Sequence, residues 1–287
     1  MPSSVPALRP AMAWLWVPGR RVSTLLGIGA AAVAAWLLLG LSPSQLVPAE
    51  GGGELAGRFF SAALHPALAH EAEFVPPGSP PFLLRVAEAL RLTVVYAAAA
   101  MSLALLLGLP LGCLASASWW EGRGAGGATV RWALRLVIVA LRSVHELLWA
   151  VVFLAAFGAA PATAVLAIAL PFSGTLAKVF SEMLDEAPRR AADALHALGA
   201  TPARRFLFGL LPAAAPDMAA YTFYRFECAV RSAAVMGFFG IPTLGYFLKL
   251  SFDNIHFREV WTYLYALIAV VLLLEAWSGR LRRRFVA

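Results

Sequence analysis

The sequence predicts an all-α integral membrane protein, and three observations carry that reading. Of its 287 residues 61% are hydrophobic and only 14% charged, against roughly 45–50% and about 25% in soluble domains. Mean hydropathy is +0.75. The apolar residues fall in runs long enough to cross a hydrocarbon core of ~30 Å, and the basic residues sit at the edges of those runs. So much apolar surface excludes a soluble enzyme, a disordered tail and a disulfide-stapled secreted domain. The net charge of +7 is nearly all arginine, since Lys178 and Lys249 are the only lysines. Its placement fits the cytoplasmic flanks of membrane helices, not a nucleic-acid partner. Cys113 and Cys228 stand far apart in apolar surroundings, at no metal-ligand spacing and with nothing to indicate a disulfide.

Residues 1–22 read as a cytoplasmic N-terminus. An uncharged run over 23–41 follows Arg20 and Arg21 and spans about 28 Å, enough for a first transmembrane helix. The arginine pair also admits a twin-arginine export reading, but no clear cleavage site follows it. Residues 42–84 are polar and irregular, with Gly51-Gly52-Gly53 and two proline pairs. Their acidic residues Glu50, Glu54, Glu71 and Glu73 face one arginine, Arg58, which fits a periplasmic segment. Within it Leu55 to Leu68 suits a short interfacial helix with Phe59 and Phe60 toward the membrane.

Residues 85–279 hold five further spans. The second covers Leu92 to Ala115, its Pro110 tolerated because neighbouring helices satisfy the freed carbonyl. The third covers Leu134 to Phe157 and the fourth Ala162 to Phe180. A charged stretch from Ser181 to Arg205 precedes the fifth, which begins near Leu210 and passes Met236. Gly237 to Phe257 is too punctuated for a simple helix. The last span, Val260 to Trp277, ends in a basic tail over 280–287 containing Arg280, Arg282, Arg283 and Arg284. Six crossings with both termini cytoplasmic put every basic loop inside.

Catalytic signatures fail. His145-Glu146 opens like a zinc-protease HExxH, but Trp149 stands where the second histidine must be. Lys178 follows Gly174 without the GK[ST] of a phosphate-binding loop, and there is no G-x-S-x-G elbow. The sequence therefore predicts no catalytic residue, no metal and no cofactor. His65, His70 and His256 stand at no ligand spacing and read as solvated loop positions.

Between spans four and five the chain carries Asp193-Ala194-Leu195, Gly199 and Leu211-Pro212. This resembles the cytoplasmic EAA loop of the membrane subunits of ATP-binding-cassette importers, E-A-A-x3-G-x9-I-x-L-P. The spacing holds throughout, with Asp for Glu at 193, Leu for Ala at 195 and Gly209 for Ile. Leu195 and Leu198 lie three apart on one helical face, and Gly199 permits a sharp exit; an ordinary loop helix would share those features. A second block, Tyr224-Arg225-Phe226-Glu227 with Val230-Arg231-Ser232-Ala233 and then Gly237 and Gly240, resembles the phosphonate-type permeases. So does Arg142-Ser143 with Glu146, where His145 replaces an expected proline. The stretch from Gly237 to Gly245, GFFGIPTLG, replaces the family's G-x-x-G-A-G-G-I-G.

The resemblance implies a type I importer transmembrane domain in the bacterial inner membrane, with a small oxyanion such as phosphonate, phosphite or phosphate as cargo. It also implies three protein partners: a separate ATPase docked on the EAA-type loop, a periplasmic binding protein and a second permease copy. On this reading Asp193, Ala194, Leu195, Leu198, Gly199 and Pro212 serve coupling. Gly237, Gly240 and Gly245 form a gate segment, and Arg142, Glu146, Tyr224, Arg225, Glu227 and Arg231 line the pathway. Each charge near the bilayer centre costs about 2.5–3.5 kcal/mol, so these residues must face water or one another. Glu227 and Arg231, and likewise Arg142 and Glu146, stand four apart and suit ion pairs along a helix. Two uses stay open for them: a pathway in which one arginine meets an anion, or pairs that only lock helices together. An ion-gradient-driven secondary transporter or channel is the alternative function, but it predicts paired internal repeats, and the sequence shows no such symmetry.

Overall fold

Close contact between two helices rich in small residues organises the chain. The computed structural model describes residues 18–40, 42, 47–72, 74–121 and 124–285, and all the regular structure among them is helical. The expected cytoplasmic N-terminus as far as residue 17, and Glu73, lie outside the described residues. The chain divides into two units, residues 1–57 and 58–287. The first contains α1 (Pro18–Leu38) and the start of α2 (Gly52–Ala62).

The second unit holds α3 (Phe82–Ala115), α4 (Gly124–Ser143), α5 (Glu146–Phe157) and α6 (Pro161–Glu186). After these come α7 (Arg190–Ala197), α8 (Pro202–Arg205), α9 (Leu211–Val235), α10 (Leu244–Asp253) and α11 (Phe257–Phe285). Among the described residues four helical stretches are long and apolar enough to cross a membrane: Phe82–Ala115, Pro161–Glu186, Pro202–Phe239 and Phe257–Arg280. The pair α4–α5 makes a fifth if counted as one span. The described apolar part of α1, Val22–Leu38, is shorter.

Three elements depart from expectation for local reasons. The second span starts at Phe82 instead of Leu92, because the first turns of α3 bury Phe82, Val86 and Ala89 while Glu88 and Arg91 stay exposed. The third span is not one helix. It bends by 84° at Val144-His145, where His145 is extended and its Nδ1 accepts the Leu147 N–H at 3.3 Å. The interfacial helix, expected over Leu55 to Leu68, is Gly52–Ala62, and Phe59 turns inward onto Phe252, Phe257 and Trp261.

Helix α6 is the core. Its Ala164, Ala167, Ile168, Phe172, Leu176, Phe180 and Leu184 are all buried. α3 offers it a seam of Ala97, Ala100, Ala104, Gly108, Gly112 and Ala115, also buried. A Cβ on Gly108 would lie 2.8 Å from the Ser173 carbonyl oxygen, and one on Gly112 2.9 Å from that of Ala177. Only a missing side chain permits backbones this close, which is how membrane helices gain dispersion contact.

At the end of the bundle where α3 begins, residues 63–82 tie down the start of α11. Glu259 is buried and accepts the Glu71 N–H at 2.8 Å and the Ser251 hydroxyl at 2.7 Å. His70, expected at a solvated surface, is instead largely buried: it packs edge-on to Phe82 and lies 3.9 Å from Glu259. At the other end the α3 and α6 C-termini meet.

Gly112→Val should lower the melting temperature of the detergent-solubilised protein, an overpacking loss of about 1–3 kcal/mol. Gly57→Ala, in a helix with open space around it, should be neutral or stabilising by up to ~1 kcal/mol. Equal melting temperatures for the two variants would disprove the close-packed seam.

Candidate functional site

Helix α7 is short and closes in a definite way. The Asp193 N–H reaches the Arg189 carbonyl at 2.8 Å to start it. At its other end Gly199 N–H bonds the His196 carbonyl at 2.9 Å and Ala200 N–H bonds that of Leu195 at 3.0 Å, with Gly199 at φ +77°. This is a Schellman close, which needs a left-handed residue at that position. Ala192 is buried, Leu195 half-buried, and Asp193, Ala194 and Leu198 are exposed. Leu198 is 83% exposed, so a large apolar side chain stands in the open at the end of the bundle.

The chain then re-enters through α8 and a π-helical turn, Phe206–Leu210, which runs into α9 with Pro212 in its first turn. The π turn carries the departure from the EAA-type pattern. A Cβ on Gly209 would lie 2.8 Å from the Ala192 Cα, so α7 rests on bare backbone where an isoleucine would stand it off. Phe206 is buried edge-on against Trp119 at 5.0 Å.

An ionic knot that sequence reasoning missed holds this elbow. Glu121, which follows α3, pairs with Arg189 at 2.7 Å on one flank of α7 and with Arg205 at 3.8 Å on the other. The Glu121 hydrogen bond and charge raise the Arg189 pKa further above its ordinary value. Arg189 also donates to the Ser118 hydroxyl at 3.3 Å. Asp185, near the end of α6, accepts from the Ser116 hydroxyl at 2.5 Å and from the Ala117 and Ser118 N–H groups at 3.0 Å. Exposed pairs contribute only ~0–1 kcal/mol each, so the Glu121 contacts fix geometry more than stability. Charge-assisted bonds to a half-buried carboxylate contribute more, about 1.5–3 kcal/mol. The available signal was Glu121 itself, the one carboxylate between Glu88 and Glu146.

One face of α9 carries Asp217, Tyr221, Tyr224, Cys228 and Arg231 at helical spacing, none of them buried. Asp217, Tyr221 and Tyr224 line a groove of about 550 Å³ with Met183 and Glu186 from the end of α6 and Pro188 just after it. Arg231 pairs with Glu227 at 2.9 Å, as the spacing predicts, and touches the Cys228 Sγ at 3.4 Å. Arg225 turns toward α6, with its guanidinium 4.1 Å above the Phe172 ring, a cation–π contact. No carboxylate among the described residues lies within 4.0 Å of it.

The expected Arg142–Glu146 pair does not form, because the bend at Val144-His145 puts the two residues on different helices. Glu146 instead accepts the Ser232 hydroxyl of α9 at 2.9 Å, and Arg142 lines a cleft between α4 and α6. Gly237 and Gly245 interlock: a Cβ on Gly237 would strike the Tyr246 nitrogen, and one on Gly245 the Ala234 carbonyl. Gly240, at φ +84°, ends the 3-10 turn Met236–Phe239 between them.

Three comparisons bear on this arrangement. The family described as binding-protein-dependent transport system inner membrane component matches residues 108–286. The phosphite transport system permease protein PtxC of Stutzerimonas stutzeri is 36% identical over 151 residues, 53% of this chain and 55% of the relative. The phosphate-import permease protein PhnE of Mycolicibacterium smegmatis is 26% identical over 254 residues, 88% of this chain and 44% of the relative. The chain thus spans about half the length of these curated relatives. The solved inward-facing MetNI methionine ABC transporter shares the fold at a TM-score of 0.61 and 20% identity, covering 72% of this chain and 99% of that one.

Asp185→Ala should destabilise the solubilised protein by about 3 kcal/mol, since it strands the Ser116, Ala117 and Ser118 donors. Glu121→Ala should change stability by ~1 kcal/mol or less. Thermal melting of both variants checks the ranking, and a larger loss from Glu121→Ala would contradict it.

Proposed function

This chain belongs to the family of binding-protein-dependent transport system inner membrane components, and on that premise we propose that it is the permease subunit of an ATP-binding-cassette importer for a small oxyanion. The observation that carries the proposal is the α7 elbow. Asp193, Ala194 and Leu198 stand exposed on a helix fixed at both flanks by Glu121, at the end of the bundle where α6 stops. Such a helix suits the groove of a separate ATPase subunit, with Leu198 as the apolar anchor. Pro212 starts the span that receives the motion. ATP hydrolysis belongs to that partner, and a binding protein delivers the cargo at the opposite face.

The chain takes six crossings in the bacterial inner membrane, with α1 as the first, both termini in the cytoplasm and residues 85–279 as the transmembrane domain proper. Two copies enclose one path. The α9 face supports this, because Asp217, Tyr224 and Arg231 stay open on it and charged groups on a span avoid lipid. Tyr224, Arg225, Glu227 and Arg231 line the path with Arg142 and Glu146, and the segment holding Gly237, Gly240 and Gly245 closes it. Glu227 neutralises Arg231, so Arg225, with no carboxylate within 4.0 Å among the described residues, is the α9 arginine left to offer a bidentate fork to an oxyanion. The names of the relatives, phosphite and phosphate permeases, favour the same class of cargo.

ATP-driven closure of the partner dimer would bind one arrangement of the two α7 helices more tightly than the other. That difference is the energy available to turn the path from outward- to inward-facing. Glu121 and Asp185 join α7 to the α3 and α6 ends, so the stroke reaches the core seam without passing through a slack loop.

Leu198→Asp should leave stability within ~1 kcal/mol of wild type by thermal melting while abolishing co-purification with the ATPase. Retained ATPase binding would overturn the coupling assignment. Arg225→Ala should lower oxyanion uptake by about ten- to a hundredfold, matching the loss of ~1.5–3 kcal/mol of charge-assisted bonding. Normal uptake by a stably inserted Arg225→Ala variant would reduce this residue to packing on Phe172.

A further inference from the structure

A second cationic cavity lies between α4 and α6. Its volume is about 200 Å³, and its polar lining is Arg135 and Arg142 from α4 with Lys178, Ser181 and Glu182 from α6. The two helices touch at Gly174, where a Cβ would lie 3.0 Å from the Ile138 carbonyl oxygen and 3.1 Å from the Arg142 nitrogen. That contact sets Arg142 directly beside α6, one turn from Lys178. By helical rise its α6 lining, Lys178 to Glu182, lies about 6–12 Å from the C-terminal end of that helix.

The charges here do not cancel. Lys178 holds Glu182 at 2.7 Å, and Glu182 is the only carboxylate in the lining. Arg135 pairs with Asp185, outside the lining, at the long distance of 4.0 Å. Arg142 has no carboxylate within 4.0 Å among the described residues. Arg142 therefore stands uncompensated, in a lining that holds three cations and one carboxylate, on a span where an unpaired charge is costly. The space exceeds the ~30 Å³ share of a water and falls short of the ~300–1,000 Å³ of drug-sized sites. A small anion complements that volume and charge.

We propose that the α4–α6 cavity binds a tetrahedral oxyanion of the phosphate class, held by the Arg135 and Arg142 guanidinium forks and the Lys178 ammonium. Planar forks match two oxygens each, and the ammonium supplies a point charge between them. Two sources share this chemistry: the transported oxyanion pausing on its way in, and the phosphodiester of an anionic lipid headgroup. The inference rests on the oxyanion-importer reading for the first source and only on membrane residence for the second.

The test uses the assembled permease–ATPase complex in nanodiscs, without binding protein. One arm is made of phosphatidylcholine alone and probed with radiolabelled inorganic phosphate. The other contains phosphatidylglycerol, with the retained lipid counted by mass spectrometry. Arg135→Gln/Lys178→Gln is compared with wild type, and Lys178→Arg serves as the charge-preserving control. Saturable phosphate binding in the neutral nanodisc, weakened at least tenfold in the double variant and kept in Lys178→Arg, supports the site with the cargo as source. Retention of phosphatidylglycerol by wild type and Lys178→Arg, lost in the double variant, supports it with lipid as source. If wild type and double variant match in both arms at equal melting temperature, the site is overturned. If the double variant fails to fold, wild type alone decides: neither phosphate binding nor retained anionic lipid overturns it as well. Uptake in proteoliposomes with the binding protein added tests the importer reading separately, since a wild type that imports no oxyanion ends that reading whatever the cavity binds.

Discussion

Inside a bilayer the lipid tails are as apolar as leucine, so no hydrophobic effect draws one helix to the next. What remains is close backbone contact, and in this protein it is concentrated on α6. Gly108 and Gly112 bring α3 onto one side of it and its own Gly174 admits α4 on another. Met218, Ala229, Val230 and Ala233 of α9 join the same core. Three of the polar features are positioned by this axis. The α9 groove, the α4–α6 cavity and the Asp185 cap all use side chains of α6 or of helices pressed directly against it.

A rigid axis also explains how a short exposed helix at one end can matter to the whole. α7 lies on Gly209 and is held on both flanks by Glu121. Glu121 and the serines capped by Asp185 belong to the same turn after α3. These contacts are individually weak, but they share one geometry, and together they leave α7 no independent freedom. The glycines Gly237 and Gly245 play a comparable part just beyond α9, where two backbones pass too close for any side chain.

Much of this was legible in the sequence. The apolar runs predicted where α3, α6, α9 and α11 lie, and the spacing from Asp193 to Pro212 singled out the helix that stands exposed. The Glu227–Arg231 pair followed from a four-residue interval. The bend between α4 and α5 did not, because the run from Leu134 to Phe157 is apolar on both sides of it. A hydropathy profile records composition, not direction. His145 was noticed only as a missing proline, yet it caps α5. Gly209 was read as a departure, and its reason is a contact with Ala192, which no local pattern announces. Glu121, Arg189 and Arg205 meet only after folding, so sequence spacing carried no trace of their pairing.

The π turn at Phe206–Leu210 also bears on the protein's history. Such turns carry one residue more than an α-helical path of equal length, and one residue corresponds to about 100° of rotation. The orientation of the elbow about the long axis is therefore offset from the tyrosine-bearing side of α9 by that single surplus residue. A lineage that dropped it would keep every other side chain and still aim its foot at a different bearing, so this stretch should tolerate exchange of residues far better than a change in their number.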